Sequence, residues 1–253
     1  MHALTIASLS WIEYQARLQA GAIVLIPCGA LEQHGPHLPL GTDAILSTAI
    51  TQSVAEKING MIAPTFSYGY KSQPKSGGGQ HFPGTTSLDG NSLSQLTRDI
   101  IRELARQGVR KVVVVNGHYE NQWFLTEGID LALRDVGLTP GLRVMRLEYW
   151  DFLTESVLAE VFPAGFPGYA LEHAAVIETS LMLHYYPELV QLDLIPDETA
   201  EFPPYDVYPH HPEWVPASGV LSSAKTASAE KGALMAKQII YTIAEAIQQE
   251  FGS

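Results

Sequence analysis

Cysteine is nearly missing from this sequence. Cys28 is the single one in 253 residues, so no internal disulfide can form. It ends the apolar run "AIVLIPC" and reads as a buried, inert thiol rather than a reactive one, which fits a reducing cytoplasm. Basic residues are also scarce, with 15 Lys and Arg against 27 Asp and Glu and a net charge of -12. No cationic stripe is left for a phosphate backbone, which excludes nucleic acid as the expected partner. No window approaches the roughly 18 apolar residues of a membrane span. The opening "MHALTIASLSWIEYQARL" lacks a basic segment ahead of an apolar core, so the expectation is a cytoplasmic chain without membrane contact or processing. A solenoid repeat is absent. A phosphate loop is absent too: "KSGGGQHFPGTTS" holds three consecutive glycines but no Lys-Ser or Lys-Thr and no helix start. Those glycines instead let backbone approach a ligand or a neighbouring chain.

What is present is a chain that is 46% hydrophobic, enough to bury a sizeable core, and a single domain over residues 1–253 is expected. Between residues 22 and 147, short β-rich runs alternate with helical patterns. "AIVLIPC", "MIAPTF", "RKVVVVNG" and "LRVMRLEYW" alternate with "DAILSTAITQSVAEKI", "NSLSQLTRDIIRELARQG" and "NQWFLTEGIDLALRDVG". That order predicts βαβ units and a parallel sheet covered on both faces. Asn91 is the expected N-cap of the second of these helices and Gly108 its stop. Beyond residue 150 follow a helix around "EHAAVIETSLMLHYY", a Pro-rich passage "PDETAEFPPYDVYPHHPEWVP" and a last helix, "SAEKGALMAKQIIYTIAEAIQQEF". The aromatics Phe202, Tyr205, Tyr208 and Trp214 mark the Pro-rich passage as an ordered loop, packed on the domain or on a neighbouring subunit, rather than a disordered linker.

The chemistry concentrates in two polar clusters, "ALEQHG" after the first predicted strand and "NGHYEN" after "KVVVV". Ligand sites in open α/β sheets lie at the carboxyl ends of strands, so if these strands are neighbours the clusters share a crevice. Glu32 and His34 are two apart, as are His118 and Glu120, and in extended backbone that spacing turns both side chains one way. Asp43 adds a carboxylate from the end of the same loop, as the expected N-cap of the next helix. Two imidazoles and three carboxylates suit two divalent cations with a bridge better than one closed structural zinc. Two such cations and one hydroxide balance the three carboxylates, and the chemistry they suggest is hydrolysis of an amide or ester. A lone histidine is more often a hydrogen-bonded structural residue than a ligand, and His2, His184, His210 and His211 are read that way. His37 takes a supporting role. Glu172 and His173 open the helix "EHAAVIETSLML", where capping and function are both open. Trp150 and Tyr169 are core aromatics or walls of a pocket for a flat ligand.

"GALEQHGPHLPLGTD", "VNGHYEN" and "LEHAAVIETS" together resemble the creatininase (creatinine amidohydrolase) family over nearly the whole chain. "YGYKSQPKSGGGQHFPGTTSLDG", "NGHYENQWFLTEGIDLALR", "FPPYDVYP" and "LSSAKTAS" resemble its creatinine-hydrolysing members. The resemblance implies a three-layer α/β/α fold with a mostly parallel central sheet, a homohexamer, and two divalent metal ions per subunit, manganese or zinc. It places Glu32 and His118 on one metal, His34 and Glu120 on the other, with Asp43 bridging. Ser76 and Tyr119 would contact substrate, Trp150 would belong to the pocket, His173 would handle the proton, and Glu120 would be a catalytic carboxylate. Tyr169 stands where the resemblance would put a lid tryptophan, which keeps an aromatic cover but shrinks it. The implied reaction is reversible opening of the creatinine lactam to creatine by a metal-bridging hydroxide. Alternatives are hydrolysis of another small cyclic amide or formamide, and a metal-stabilised binding protein without turnover.

Overall fold

The computed structural model describes residues 4–58, 60–135 and 141–252; His2 lies outside them. The β-rich runs become parallel strands: β1 (Leu4–Thr5), β2 (Val24–Cys28), β3 (Met61–Ile62), β4 (Lys111–Asn116) and β5 (Arg143–Glu148). Their order across the sheet is β1-β3-β2-β4-β5. β1 was not expected, and β3 is shorter than "MIAPTF" suggested because Pro64 has no N–H to give a ladder.

Helices cover both faces. On one side lie α1 (Trp11–Gln19), α4 (Gly90–Arg106) and α5 (Gln122–Asp135); on the other lie α2 (Thr42–Ile58), α6 (Glu155–Val161), α7 (Val176–Tyr185) and α8 (Ala229–Phe251), with the one-turn α3 (Pro74–Gly77) in a loop. The reason is visible along β4. Val112 and Val114 pack with Ile101, Leu104 and Leu125, while Val113 and Val115 pack with Leu46, Ile50, Leu181 and Ile239. Successive residues of a strand face opposite ways, so an uninterrupted valine run demands cover on both sides. The three-layer α/β/α fold and parallel sheet are therefore as expected. Among the described residues, no helix is long and apolar enough to cross a membrane.

Local boundaries differ in three places. α4 begins at Gly90 with Asp89 as its N-cap, so Asn91 sits inside the first turn. Asp43 is likewise inside the first turn of α2, not its cap, which turns its carboxylate toward the crevice. Glu172 and His173 precede α7 instead of opening it. Between them and the helix, Ala174 adopts a left-handed φ of 54°, held by its N–H donating to Glu178 Oε2 at 2.6 Å. The Pro-rich passage is ordered against the domain. Ala200, Val215 and Leu221 form a small apolar cluster with Phe82, Leu171 and Phe202, and Lys75 pairs with Asp206 at 3.3 Å. Cys28 is buried, and burial pushes its thiol far up from the ordinary range.

α7 and α8 approach so closely at Gly232 that an added Cβ would overlap the Ser180 carbonyl. Because the obstacle is backbone, Gly232→Ala should destabilise by about 1–3 kcal/mol, the usual range for overpacking. Urea denaturation of the metal-loaded chain measures it, and an unchanged midpoint would remove this constraint on α7.

Candidate metal centre

β2 and β4 pair in parallel with Cys28 opposite Asn116, so the loops leaving their carboxyl ends begin side by side. The first loop carries Glu32 and His34, and Asp43 follows on α2. The second carries His118 and Glu120, shaped by residues with no chemical part of their own. Asn116 donates to the His118 carbonyl at 2.7 Å and accepts from the His118 N–H at 3.2 Å. Asn121 donates to the Gly29 carbonyl at 3.0 Å, tying this loop to the end of β2.

The imidazoles are oriented by backbone carbonyls, which can only accept. His34 Nδ1 donates to the Glu32 carbonyl at 3.1 Å, leaving Nε2 to face Asp43 Oδ1 at 2.9 Å and Glu178 Oε1 at 3.5 Å. His118 Nε2 donates to the Tyr70 carbonyl at 3.0 Å, leaving Nδ1 to face Asp43 Oδ2 at 2.9 Å and Glu32 Oε2 at 3.1 Å. Each ring thus points its second nitrogen at two carboxylates, the arrangement by which a second hydrogen bond fixes a metal-binding tautomer. Asp43 stands between them, one oxygen toward each ring.

Buried polar atoms without a hydrogen-bond partner test whether cations fit. Glu32 Oε1 is such an atom, and His34 Nε2, Asp43 Oδ2 and Glu120 Oε2 meet only other charged members of the cluster. Orphaned groups of this kind cost stability unless a ligand satisfies them, and imidazole nitrogen with carboxylate oxygen is a donor set for manganese or zinc. Possible ligand atoms of Glu32, Asp43 and His118 lie within 4.8 Å of one another, as do those of His34, Asp43 and Glu178. The residues fit two cations sharing Asp43.

The same electrostatics appear in the protonation of the bare side chains. Burial disfavours the charged imidazoles of His34 and His118, but the facing carboxylates outweigh it and hold both well above the ordinary histidine range. Asp43 is held low because those two imidazoles overcome its burial. Glu32, raised by burial and by Asp43 and Glu120 against the pull of His118, stands at about 7.

Two placements depart from the expected pairing. Glu120 is not grouped with His34: its Oε2 lies 3.3 Å from the Nε2 side of His118, and its Oε1 accepts from Ser76 Oγ at 2.5 Å and the Gln73 N–H at 3.0 Å. The carboxylate across His34 from Asp43 is Glu178, which sequence reasoning missed. Its signal was an acid inside the apolar stretch "AAVIETSLML". The glycines of "KSGGGQ" do let backbone approach closely, since a Cβ at Gly77 would overlap Glu32 Oε1.

Above the ligands lies a cleft lined by Ser76, Tyr119, Trp150, Tyr169, Glu172 and His173. All four expected substrate contacts and His173 therefore meet in one place. Tyr119 and Trp150 stand near parallel, 21° apart with ring centres at 6.3 Å, and the Tyr169 hydroxyl donates to the Trp150 carbonyl at 3.0 Å. Glu172 is buried beside them, its carboxyl pushed up to about 8 chiefly by burial. His173 is neutral: burial first and the nearby His34 next hold it well below the ordinary range. Of the remaining histidines, His37 bonds Thr179 Oγ1 at 2.9 Å and so ties this loop to α7, and His211 pairs with Glu213 at 2.7 Å.

Residues 7–247 match the creatininase family, described as creatinine amidohydrolase. The chain belongs to the creatininase family. The creatinine amidohydrolase of Pseudomonas putida is 52% identical over 251 residues, 97% of this chain and 96% of that protein. A mutant creatininase complexed with creatine superposes with a TM-score of 0.97 at 50% identity, covering 99% of this chain and all (100%) of that one. A manganese form of creatininase gives a TM-score of 0.97 at 51% identity, covering 99% and 100%. A creatininase-family chain thus carries, at the ends of β2 and β4, a donor set suited to two divalent cations.

Cations that bind the folded chain and not the unfolded one stabilise it by about 2.7 kcal/mol at a hundredfold excess over Kd. Adding manganese or zinc to chelator-stripped protein should therefore raise Tm by several degrees. Asp43→Asn, which weakens both halves at once, should lose that increment, whereas Glu178→Gln should lose part of it. Calorimetry with and without metal measures this; an undiminished increment in Asp43→Asn would refute sharing.

Proposed function

We propose that this chain is a metal-dependent hydrolase that opens the lactam ring of creatinine to give creatine, reversibly. The observation that carries this reading is 52% identity to a creatinine amidohydrolase across nearly the full length of both chains. The creatine held by a relative of the same fold supports it, as does the way the expected ligands and substrate contacts here converge on one cleft.

The ligand assignment follows the geometry rather than the crossed pairing. Glu32, Asp43 and His118 hold one cation; His34, Asp43 and Glu178 hold the other. Such cations, manganese or zinc, supply Lewis-acid polarisation of a carbonyl and acidification of water when bound. The chain's own residues do the rest. Tyr119 and Trp150 wall a space for a flat ring, and Tyr169, anchored through its hydroxyl to Trp150, covers it and excludes water. Ser76 contacts substrate and is oriented by Glu120, the catalytic carboxylate at the floor of the cleft. His173, neutral before reaction, takes the proton shed by the attacking water and passes it to the ring nitrogen as the carbon–nitrogen bond breaks. A positioned acid of this kind contributes on the order of a hundredfold or more, because the unprotonated leaving group is strongly basic.

One domain over the full chain, a cytoplasmic setting and a homohexamer complete the proposal. The buried thiol of Cys28 supports the compartment, and exposed Trp11 and Trp123, 73% and 60% accessible, support subunit contacts. Equilibrium sedimentation is expected to give six copies.

Creatine release from creatinine by the manganese- or zinc-loaded protein is the direct test. His173→Ala should keep two metals per chain and lose about a hundredfold or more in kcat, whereas His34→Ala should lose metal and activity together. A metal-replete wild type inert toward creatinine would overturn the substrate.

A further inference from the structure

We propose that Glu172 determines specificity by recognising the nitrogen end of the substrate, its free oxygen accepting an N–H from the amidine of the closed ring and from the guanidinium of the opened one. This rests on the reading of the chain as a creatinine hydrolase. Five carboxylates line the cleft, those of Glu32, Asp43, Glu120, Glu172 and Glu178. Glu32, Asp43 and Glu178 face the histidines of the metal centre, and Glu120 is committed to Ser76 and the Gln73 N–H. Glu172 is the one left without a part.

Its two oxygens differ in what they meet. Oε2 accepts from the Ile177 N–H at 2.8 Å, in the first turn of α7, so a capping role accounts for that half of the carboxyl. Capping does not account for Oε1, a buried atom with no hydrogen-bond partner among the described residues. The residue is 5% accessible, which leaves little solvent to satisfy it. Lys231 lies near enough to act on the carboxyl through space, yet among the described residues no cation pairs with Oε1. A buried carboxyl oxygen of this kind costs stability unless a ligand brings it a hydrogen.

The ligand that fits must offer an N–H, and a positively charged donor bonds a carboxylate about twice as strongly as a neutral one. The proposed reaction supplies both kinds. Creatinine carries an amino group on its amidine carbon, and hydrolysis turns that amidine into the guanidinium of creatine. Cations at the floor of the cleft repel a guanidinium, and a carboxylate outside their ligand set offsets that repulsion. The analogue with oxygen in place of the amino nitrogen, 1-methylhydantoin, would set a carbonyl oxygen against Oε1. A site built to bond an N–H rejects such an analogue.

Glu172→Gln tests this at constant shape, because its amide oxygen keeps the Ile177 N–H and its NH₂ then replaces Oε1, making a donor of an acceptor. With both metals retained, kcat/KM for creatinine should fall by about tenfold to a hundredfold, and that for 1-methylhydantoin should not fall. An unchanged ratio of the two would overturn the proposal. Calorimetric titration of the metal-loaded wild type with methylguanidinium and with methylurea needs no turnover. It is made above the value of about 8 to which burial pushes this carboxyl, so that the carboxylate is present. Methylguanidinium should bind about tenfold more tightly, and Glu172→Gln should abolish that preference. Equal wild-type affinities, or a preference that survives Glu172→Gln, would overturn the role of Glu172 while leaving creatinine opening to its own assay. A wild type inert toward creatinine that keeps a Glu172-dependent preference would overturn the substrate and support the guanidinium site. In wild-type crystals soaked with methylguanidinium, a ligand nitrogen within hydrogen-bonding reach of Oε1 is expected, and a ligand seated without that contact would overturn the proposal with no variant involved.

Discussion

Four carboxylates and two imidazoles are buried together where two paired strands end, and such a group is stable only with positive charge among its members. Much of the surrounding architecture serves that condition. β2 and β4 must be neighbours in register for Glu32 and His118 to meet, α2 must start where Asp43 can stand between the rings, and α7 must bring Glu178 across from it. The backbone carbonyls of Glu32 and Tyr70 spend one nitrogen of each histidine so that the other is free. Close glycines press the loop of residues 76–79 onto the carboxylate of Glu32 and the amide of Gln33. Cations convert a costly arrangement into a stabilising one and supply reactivity at the floor of the cleft.

The walls divide that labour differently. Tyr119 and Trp150 supply flat apolar area at little conformational cost, and Tyr169 is tied to Trp150 rather than left to swing. The ordered passage of residues 196–216 borders the outer cleft, where Tyr208 and His210 stand near Ser76 and Tyr119. A flat slot and its aromatic cover are thus built from the same three side chains.

Much of this was legible in the sequence. Valine and isoleucine runs alternating with helical patterns named the layers, and two polar clusters after two such runs located the site, because strand ends are where open sheets bind ligands. The placement of Glu120 beside His118 rather than His34 was not legible, since it depends on which way the His118 ring turns, and that is set by the distant Tyr70 carbonyl. Glu178 was hidden because a carboxylate in the first turn of a helix has an ordinary dipole explanation. Helix starts at Asp43, Asn91 and Glu172 were misplaced by a residue or a turn, where tertiary contacts outweighed local capping preference.

The proposed cluster requires the Asp43 carboxylate to hold two cations at once. Anomalous diffraction from manganese-loaded crystals measures it directly. Two peaks per chain are expected, one beside Glu32 and His118 and one beside His34 and Glu178, with the Asp43 carboxylate between them. A single peak, or a pair of which Asp43 touches one or neither, would contradict it.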